Sequence, residues 1–498
     1  MSSIHEQAMN YVYQQVLQRL TGYFNRAERT ALQLLIQRLI VAAGGIERIS
    51  SYKVMVAFSG GKDSAYAVAF LRAAQLSIAN RSPATFNLRI ATLRHPGMTS
   101  AVMDNIHRCY SALFLYDDPR TEVLMVDQHQ VRPFRVDSPF STAGRERSRS
   151  DMLLTGHLTG GEARSTFCNS TYLGLADFFG RAACWGTGID ALANGDSTKQ
   201  QKRYVAWAMR LAQGLQLPPS DWRNQSFNGV LNTVSQVGHA YYRELYDEGC
   251  EPVGRLRAYP NQAVVPAFIT ISDLVSCHAD DHWPLLTQFL KFQFDDLSFN
   301  FSESDSATPL LIAHVRGLQA HYLRGRSYQD GVGEFVLLAK ALMRRKHMPQ
   351  RLIDQAMAAY DSPMKIEAQR ALATAHAMDA FGLSDAQLVC LLFAPFVDSG
   401  RMLEAFLRRC HPGMLVALPD LHKALMGLQV PEQVTQWLVD ISGLSKASLQ
   451  SLYGKKRVDF RDKTSLLARV GAGDPDKDRV ITCDAETCAL VPETVLGL

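Results

Sequence analysis

Apolar positions along this chain recur with two periods, and the change of period divides it. Between residues 4 and 46, Tyr11, Val12, Val16 and Leu20 return near every 3.6 positions, which predicts two helices, with Gly44-Gly45 as the stop. "YKVMVAF" (52–58) is a short, almost wholly apolar run, as expected of a strand buried on both faces of a parallel sheet. "SAYAVAFLRAAQL" then reads as a helix, "FNLRIATLRH" as a second strand, "TSAVMDNIHRCYSALFL" as a helix and "TEVLMVD" (121–127) as a third strand. Residues 132–152, rich in Arg, Ser and Pro, read as a surface loop. The alternation resumes with helix "TYLGLADFFGRAAC", strand "GIDALANGD" and a late strand in "QAVVPAFITIS" (262–272).

From about residue 308 helical patterns take over, as in "LLIAHVRGLQAHYL", "GEFVLLAKALMRR" and "DAQLVCLLFAPFV". The predicted fold is therefore α/β, with a Rossmann-like, doubly wound parallel sheet, N-terminal helices and an all-α C-terminal domain. Its expected divisions are an N-terminal helical segment (1–48), the α/β domain (49–307), the all-α domain (308–455) and a loop-rich tail (456–498).

Composition narrows the function classes. At 47% hydrophobic and 20% charged residues the 498-residue chain is globular, and a formal charge of +4 is too small for a general nucleic-acid footprint. The basic runs "MRRKHMPQR" and "YGKKR" are read as solvated helix faces. No apolar stretch is long enough to span a membrane, and "MSSIHEQAMN" lacks the pattern of a secretory signal. Nine scattered cysteines, without framework spacing, point to reduced thiols and a cytoplasmic protein. Cys277, His278 and His282 lack the paired spacing of a zinc site, so a structural role is expected for them.

The most informative stretch is Ser59-Gly60-Gly61-Lys62-Asp63-Ser64, between a predicted strand and a predicted helix. Glycines let an anion approach the main chain, and the helix start adds the positive end of its dipole. The span is shorter than a Walker P-loop, G-x-x-x-x-G-K-[ST]. Asp63 would repel phosphate unless a cation lay between them, so it suggests Mg²⁺; a simple N-cap role is the other reading.

Strand-Ser-Gly-Gly-x-Asp-Ser-helix resembles the signature of the PP-loop, or N-type, ATP pyrophosphatases of the adenine nucleotide α-hydrolase-like superfamily. That superfamily includes GMP synthetase, argininosuccinate synthetase, the tRNA thiolases and the queuosine-precursor enzyme. The resemblance implies ATP and Mg²⁺ as cofactors, cleavage between the α and β phosphates, and a pyrophosphate cradle at Ser59, Gly60, Gly61, Lys62, Asp63 and Ser64. Cys168-Asn169 is similar to a Cys-Asn pair that precedes a helix in several PP-loop thiolases. "IDALANGDS" resembles the strand and exit that follow, although Asn194-Gly195-Asp196-Ser197 departs from T-G-H-x. Asn194, Gly195 and Asp196 would then approach the nucleotide, with Asp196 joining Asp63 at the metal or else capping a helix. Pro266 matches a proline in a later strand, and Ser302, Ser304 and Ser306 either cap a helix or touch ligand. "HADD" (278–281) copies letters of the lysidine-synthase signature at the wrong place and is discounted.

Enzymes of this type adenylate a carbonyl or lactam oxygen, after which a second nucleophile displaces AMP. For sulfur, Cys168 is the first candidate. Cys109 is the second, with His107 and Arg108 expected to lower its thiol pKa, and Cys184 is the third. A buried, inert thiol is the alternative for each. The leading expectation is thiolation of a small nucleobase-like lactam, such as guanine to 6-thioguanine, with a sulfur-donor protein as a further partner. Alternatives are a tRNA-modifying sulfurtransferase, an amide ligase or amidotransferase, and a nucleotide-binding sensor that does not turn over. The N-terminal helices are candidates for packing between subunits of a homo-oligomer.

Overall fold

The computed structural model describes residues 3–82, 84–127, 130–194, 198–218, 226–246, 266–275, 279–293, 297, 308–345, 349–473, 477–483 and 490–496. Its organising element is a six-stranded sheet built from β1 (Lys53–Ala57), β2 (Asn87–Arg94), β3 (Thr121–Asp127), β4 (Gln130–Pro133), β5 (Ala191–Asn194) and β6 (Ala267–Thr270). The order is β4-β3-β2-β1-β5-β6, parallel except for β4, which runs antiparallel to β3. The chain winds outward from β1 to β3 on one side, then crosses to β5 and β6 on the other, an order compatible with a Rossmann-like fold.

The sheet is apolar on both faces, as its continuous apolar runs require. Val54, Val56, Leu88, Ile90 and Met125 point into one core; Met55, Ala91 and Val126 point into the other. The first core is closed by α1 (Ser3–Gly22), α2 (Arg26–Ala42), α3 (Lys62–Ala79) and α4 (Ser100–Ala112). Leu32, Leu35, Ile36 and Leu39 form the buried stripe of α2, and each such side chain contributes about 1.5–3 kcal/mol by leaving water. α1 and α2 pack on α3 through these stripes, while Tyr11, Leu34 and Val41 of the same two helices stay exposed. An Asn25–Glu28 capping box starts α2, and Glu28 is also held by Tyr66 Oη at 2.8 Å and His282 Nδ1 at 3.0 Å. This gives His282 the structural role expected of it, and no metal-binding cluster occurs among the described residues. Cys277 and His278 lie outside those residues, as do Ser302, Ser304 and Ser306.

The second core holds α5 (Thr142–Thr159), α6 (Ala163–Cys184), α7 (Thr198–Gly214) and the helix Phe227–Tyr246. It continues without a break into the helices that follow residue 308, which pack on α5 and α6. Two expectations need correction. Residues 142–152, read as surface loop, are the first half of α5; Ser141 caps it, and its Met152, Leu153 and Leu154 are buried. The tail is not merely loop: Leu466–Ala472 is a helix, and β7 (Lys477–Cys483) pairs antiparallel with β8 (Leu490–Leu496). Polar residues between the apolar ones hid both elements. No helix among the described residues is long and apolar enough to cross a membrane.

Cations seat the helices on one another. Arg149 of α5 donates Nε to the Gly382 carbonyl at 3.0 Å and Nη1 to that of Gly443 at 2.9 Å. Both glycines are left-handed helix caps, so one guanidinium meets the negative ends of two helices. Lys455 Nζ serves the Glu244 and Leu245 carbonyls, Arg469 those of Arg210 and Leu211, and Arg89 that of Ala182. Lys455 belongs to the "YGKKR" run, which is therefore only partly a solvated face.

Two predictions arise. Arg149→Met should destabilise the protein by about 2–3 kcal/mol, read as a lower denaturation midpoint, because two helix ends lose charge-assisted hydrogen bonds. His157 is fully buried on α5, neither ring nitrogen has a hydrogen-bond partner, and burial pushes its pKa down to about 3. The unfolded chain therefore binds a proton near pH 6.5 that the folded one refuses until about pH 3. Stability should fall as pH drops through that window, by up to about 1.4 kcal/mol per pH unit from this group. His157→Phe should flatten a plot of thermal midpoint against pH between 7 and 5.

Candidate functional site: a glycine turn at the switch point of the sheet

β1 is central, with β2 and β5 as its neighbours, so the winding direction reverses at its two sides. Ligands of open α/β sheets bind at such a reversal, beyond the carboxyl ends of the strands. The exit of β1 is fixed there by backbone and side-chain bonds. Phe58 N donates to the Ala91 carbonyl at 2.8 Å, and the buried Thr92 hydroxyl donates to the Phe58 carbonyl at 2.9 Å. The chain then turns at Gly60, whose φ of +89° is left-handed. A Cβ on Gly60 would stand 2.6 Å from Val102 Cγ1 of α4, so glycine is required by space as well as by torsion.

Gly61 is the N-cap of α3 and receives no side-chain cap. The first-turn N–H groups of a helix have no partner within it, which suits an anion. Ser59 and Ser64 close the turn: their hydroxyls are 3.0 Å apart, Gly61 N donates to Ser59 Oγ at 3.3 Å, and Ser64 Oγ donates to the Gly61 carbonyl at 3.0 Å. Asp63 is therefore not a helix cap. It lies inside the first turn, 75% exposed, with Oδ1 2.7 Å from Nζ of the buried Lys62. An exposed carboxylate, here ion-paired with one lysine, has the chemistry of a Mg²⁺ ligand, since that ion is usually held by one or two carboxylates together with phosphate oxygens.

β5 ends next to β1, with Ala193 paired to Val56, so the backbone of Asn194 reaches the same edge. Gly195 and Asp196 lie outside the described residues.

The cysteines separate. Cys168 does not precede a helix; it sits inside α6, half-buried against the second core. Arg89, near the start of β2, binds the Ala182 carbonyl near the end of α6. Phe167, the residue before Cys168, packs its ring on Phe381, whose ring lies against Gly97 just beyond β2. Cys184 is exposed at the opposite end of that helix. Cys109 is buried in α4, and desolvation pushes its thiol pKa far up. The neighbouring groups expected to lower it are engaged elsewhere: His107 with Tyr116 Oη at 3.0 Å, and Arg108 with Asn105 Oδ1 at 2.7 Å. Cys109 is no thiolate nucleophile in this fold.

Residues not singled out in the sequence complete the edge. Arg94 ends β2 and Asp127 ends β3, directly paired in register. His95 follows Arg94; burial, with smaller contributions from Arg94 and His376, pushes its pKa down to about 4. His376 belongs to the helix Pro363–Phe381, whose Phe381 ring lies against Gly97, so the C-terminal helices roof this side of the edge. The signal for Arg94 and Asp127 was present in the sequence as charged residues closing two apolar strands.

Gly60→Ala should lower the thermal midpoint in a melting experiment, since both the torsion and α4 oppose it. No protein-family model, curated protein or solved structure matches this chain.

Proposed function

We propose that this chain is a PP-loop-type ATP pyrophosphatase that adenylates the oxygen of a substrate carbonyl, releasing pyrophosphate. The observation that carries the reading is the Ser59–Ser64 turn at the exit of the central strand, where the sheet reverses. In this reading the turn and the start of α3 hold the pyrophosphate end of ATP, Ser59 and Ser64 donate hydroxyl hydrogen bonds, and Gly60 and Gly61 admit phosphate oxygens to the main chain. Mg²⁺, when bound, would neutralise phosphate charge beside Asp63, with Asp196 as its second proposed ligand. Lys62, now paired with Asp63, supplies further positive charge at the cradle. Asn194 and Gly195 would bound the nucleotide from the next strand.

The second half-reaction is proposed as sulfur transfer to a small nucleobase-like lactam, with the half-buried Cys168 as the candidate thiol. Its position inside a helix also favours a second reading, in which an amine rather than a cysteine displaces AMP.

With ATP, Mg²⁺ and a carbonyl substrate, Asp63→Ala and Ser59→Ala should each lower pyrophosphate release about a hundredfold or more, as removal of single charge-stabilising groups does. Unchanged release in both would end the pyrophosphatase reading. Cys168→Ser should retain pyrophosphate release but stop formation of a C=S product, detected by mass spectrometry. Retained product would exclude Cys168, and an amide product would support the amine reading.

A further inference from the structure

At the same edge of the sheet, two strands from the glycine turn, the end of β3 carries a carboxylate that the fold satisfies only in part. Asp127 is 4% exposed. Its Oδ2 accepts from Arg132 Nη2 at 2.9 Å and from Ser141 N at 3.3 Å, while Oδ1 is buried without a hydrogen-bond partner. Arg94 and Arg132 each leave Nε buried and unpartnered as well, although Arg94 Nη1 reaches the Met98 carbonyl at 3.0 Å. Arg94 interacts electrostatically with both Asp127 and Arg132, so the three groups form one cluster. Leaving a buried polar atom unpaired costs about 1–3 kcal/mol, and more when it is charged. Three such atoms together at the ligand edge of the sheet are therefore an arrangement waiting for complementary atoms.

The inventory specifies those atoms. The guanidinium Nε groups need an acceptor, and Asp127 Oδ1 needs a donor beside it. A simple anion would satisfy the arginines but oppose the free carboxylate oxygen. An edge with a C=O next to an N–H satisfies both, as guanidinium and carboxylate groups do at base edges. β3 lies two strands from β1, roughly 10 Å at the spacing of a sheet, which is within the length of a nucleotide whose pyrophosphate end rests in the glycine turn.

We infer that Asp127 and Arg94, with Arg132, form the substrate subsite, and that they read the adjacent C=O and N–H of a cyclic lactam. The inference rests on the adenylation reading and names its substrate class. Arg132, about a third exposed, brings one side of the cluster within reach of solvent. Burial holds the Asp127 carboxyl above the usual carboxylate range, with Arg132 and Arg94 acting against it, which suits a group that accepts a ring N–H.

The test is calorimetric titration of the full chain with hypoxanthine and 1-methylhypoxanthine, alongside α,β-methylene-ATP with Mg²⁺ as an independent report on the glycine turn. Hypoxanthine should bind, and the N-methylated base, which lacks the donor, should bind roughly ten- to a hundredfold more weakly. Asp127→Asn should weaken hypoxanthine to a similar degree and leave the nucleotide analogue unaffected. Equal affinity for the two bases, or no binding of either, overturns the inference. So does benzoate that displaces hypoxanthine and binds Asp127→Asn more tightly, which would make the cluster an anion site. Should Asp127→Asn fail to fold, seen as loss of analogue binding, the wild-type comparison still decides. Base binding without analogue binding would keep the subsite and remove the adenylation reading.

Discussion

The turn at Gly60 is the constraint on which the rest of the site depends. A left-handed torsion there sends the chain from β1 directly into α3, and the space a side chain would need is taken by Val102 of α4. That contact couples three things at once: the exit of the central strand, the start of the helix whose N–H groups face the edge, and the helix that follows β2. The buried Thr92–Phe58 bond holds the strand side of the turn, and the two serine hydroxyls hold the helix side. A cradle made of main chain can be rigid only if its neighbours are, and here they are packed core elements.

A second theme is the use of cations as seats for helix ends. Arg72, fully buried, donates to the Leu113 and Phe114 carbonyls at the end of α4 and also meets Asp118 at 2.8 Å. Arg89, Arg149, Lys455 and Arg469 do the same for other helices. A helix end exposes unpaired carbonyls and a partial negative charge, and a long basic side chain from another element answers both. This joins the sheet, α5 and the C-terminal helices into shared packing, and it explains why several basic residues do not form a nucleic-acid-like surface.

Legibility followed from how local the physical cause was. The five parallel strands were visible because burial on both faces leaves an apolar run that no helix would interrupt so regularly, as in β1 and β3. α5 was missed because its first turns, "TAGRERSRS", are polar, and apart from Gly144 its buried residues begin at Asp151. Cys109 was misread because the charges beside it in sequence point away from it along the helix. Lys455 was misread because its partners, Glu244 and Leu245, lie some two hundred positions away. Within the site, Ser59 to Ser64 could be read directly, whereas the pairing of Arg94 with Asp127 needed the register of β2 on β3.

The sequence by itself determined the strand–turn–helix unit and its glycine chemistry, since both arise from neighbouring residues and their torsions. It also determined the α/β alternation, because periodicity is a local property. Tertiary structure alone decided that the turn stands where the sheet reverses, that Asp63 is exposed while Cys109 is sealed, and that a carboxylate and two guanidiniums meet at the edge of the sheet with one atom of each left without a partner. Those outcomes depend on strand order, register and desolvation, which are set by contacts between residues far apart in the chain.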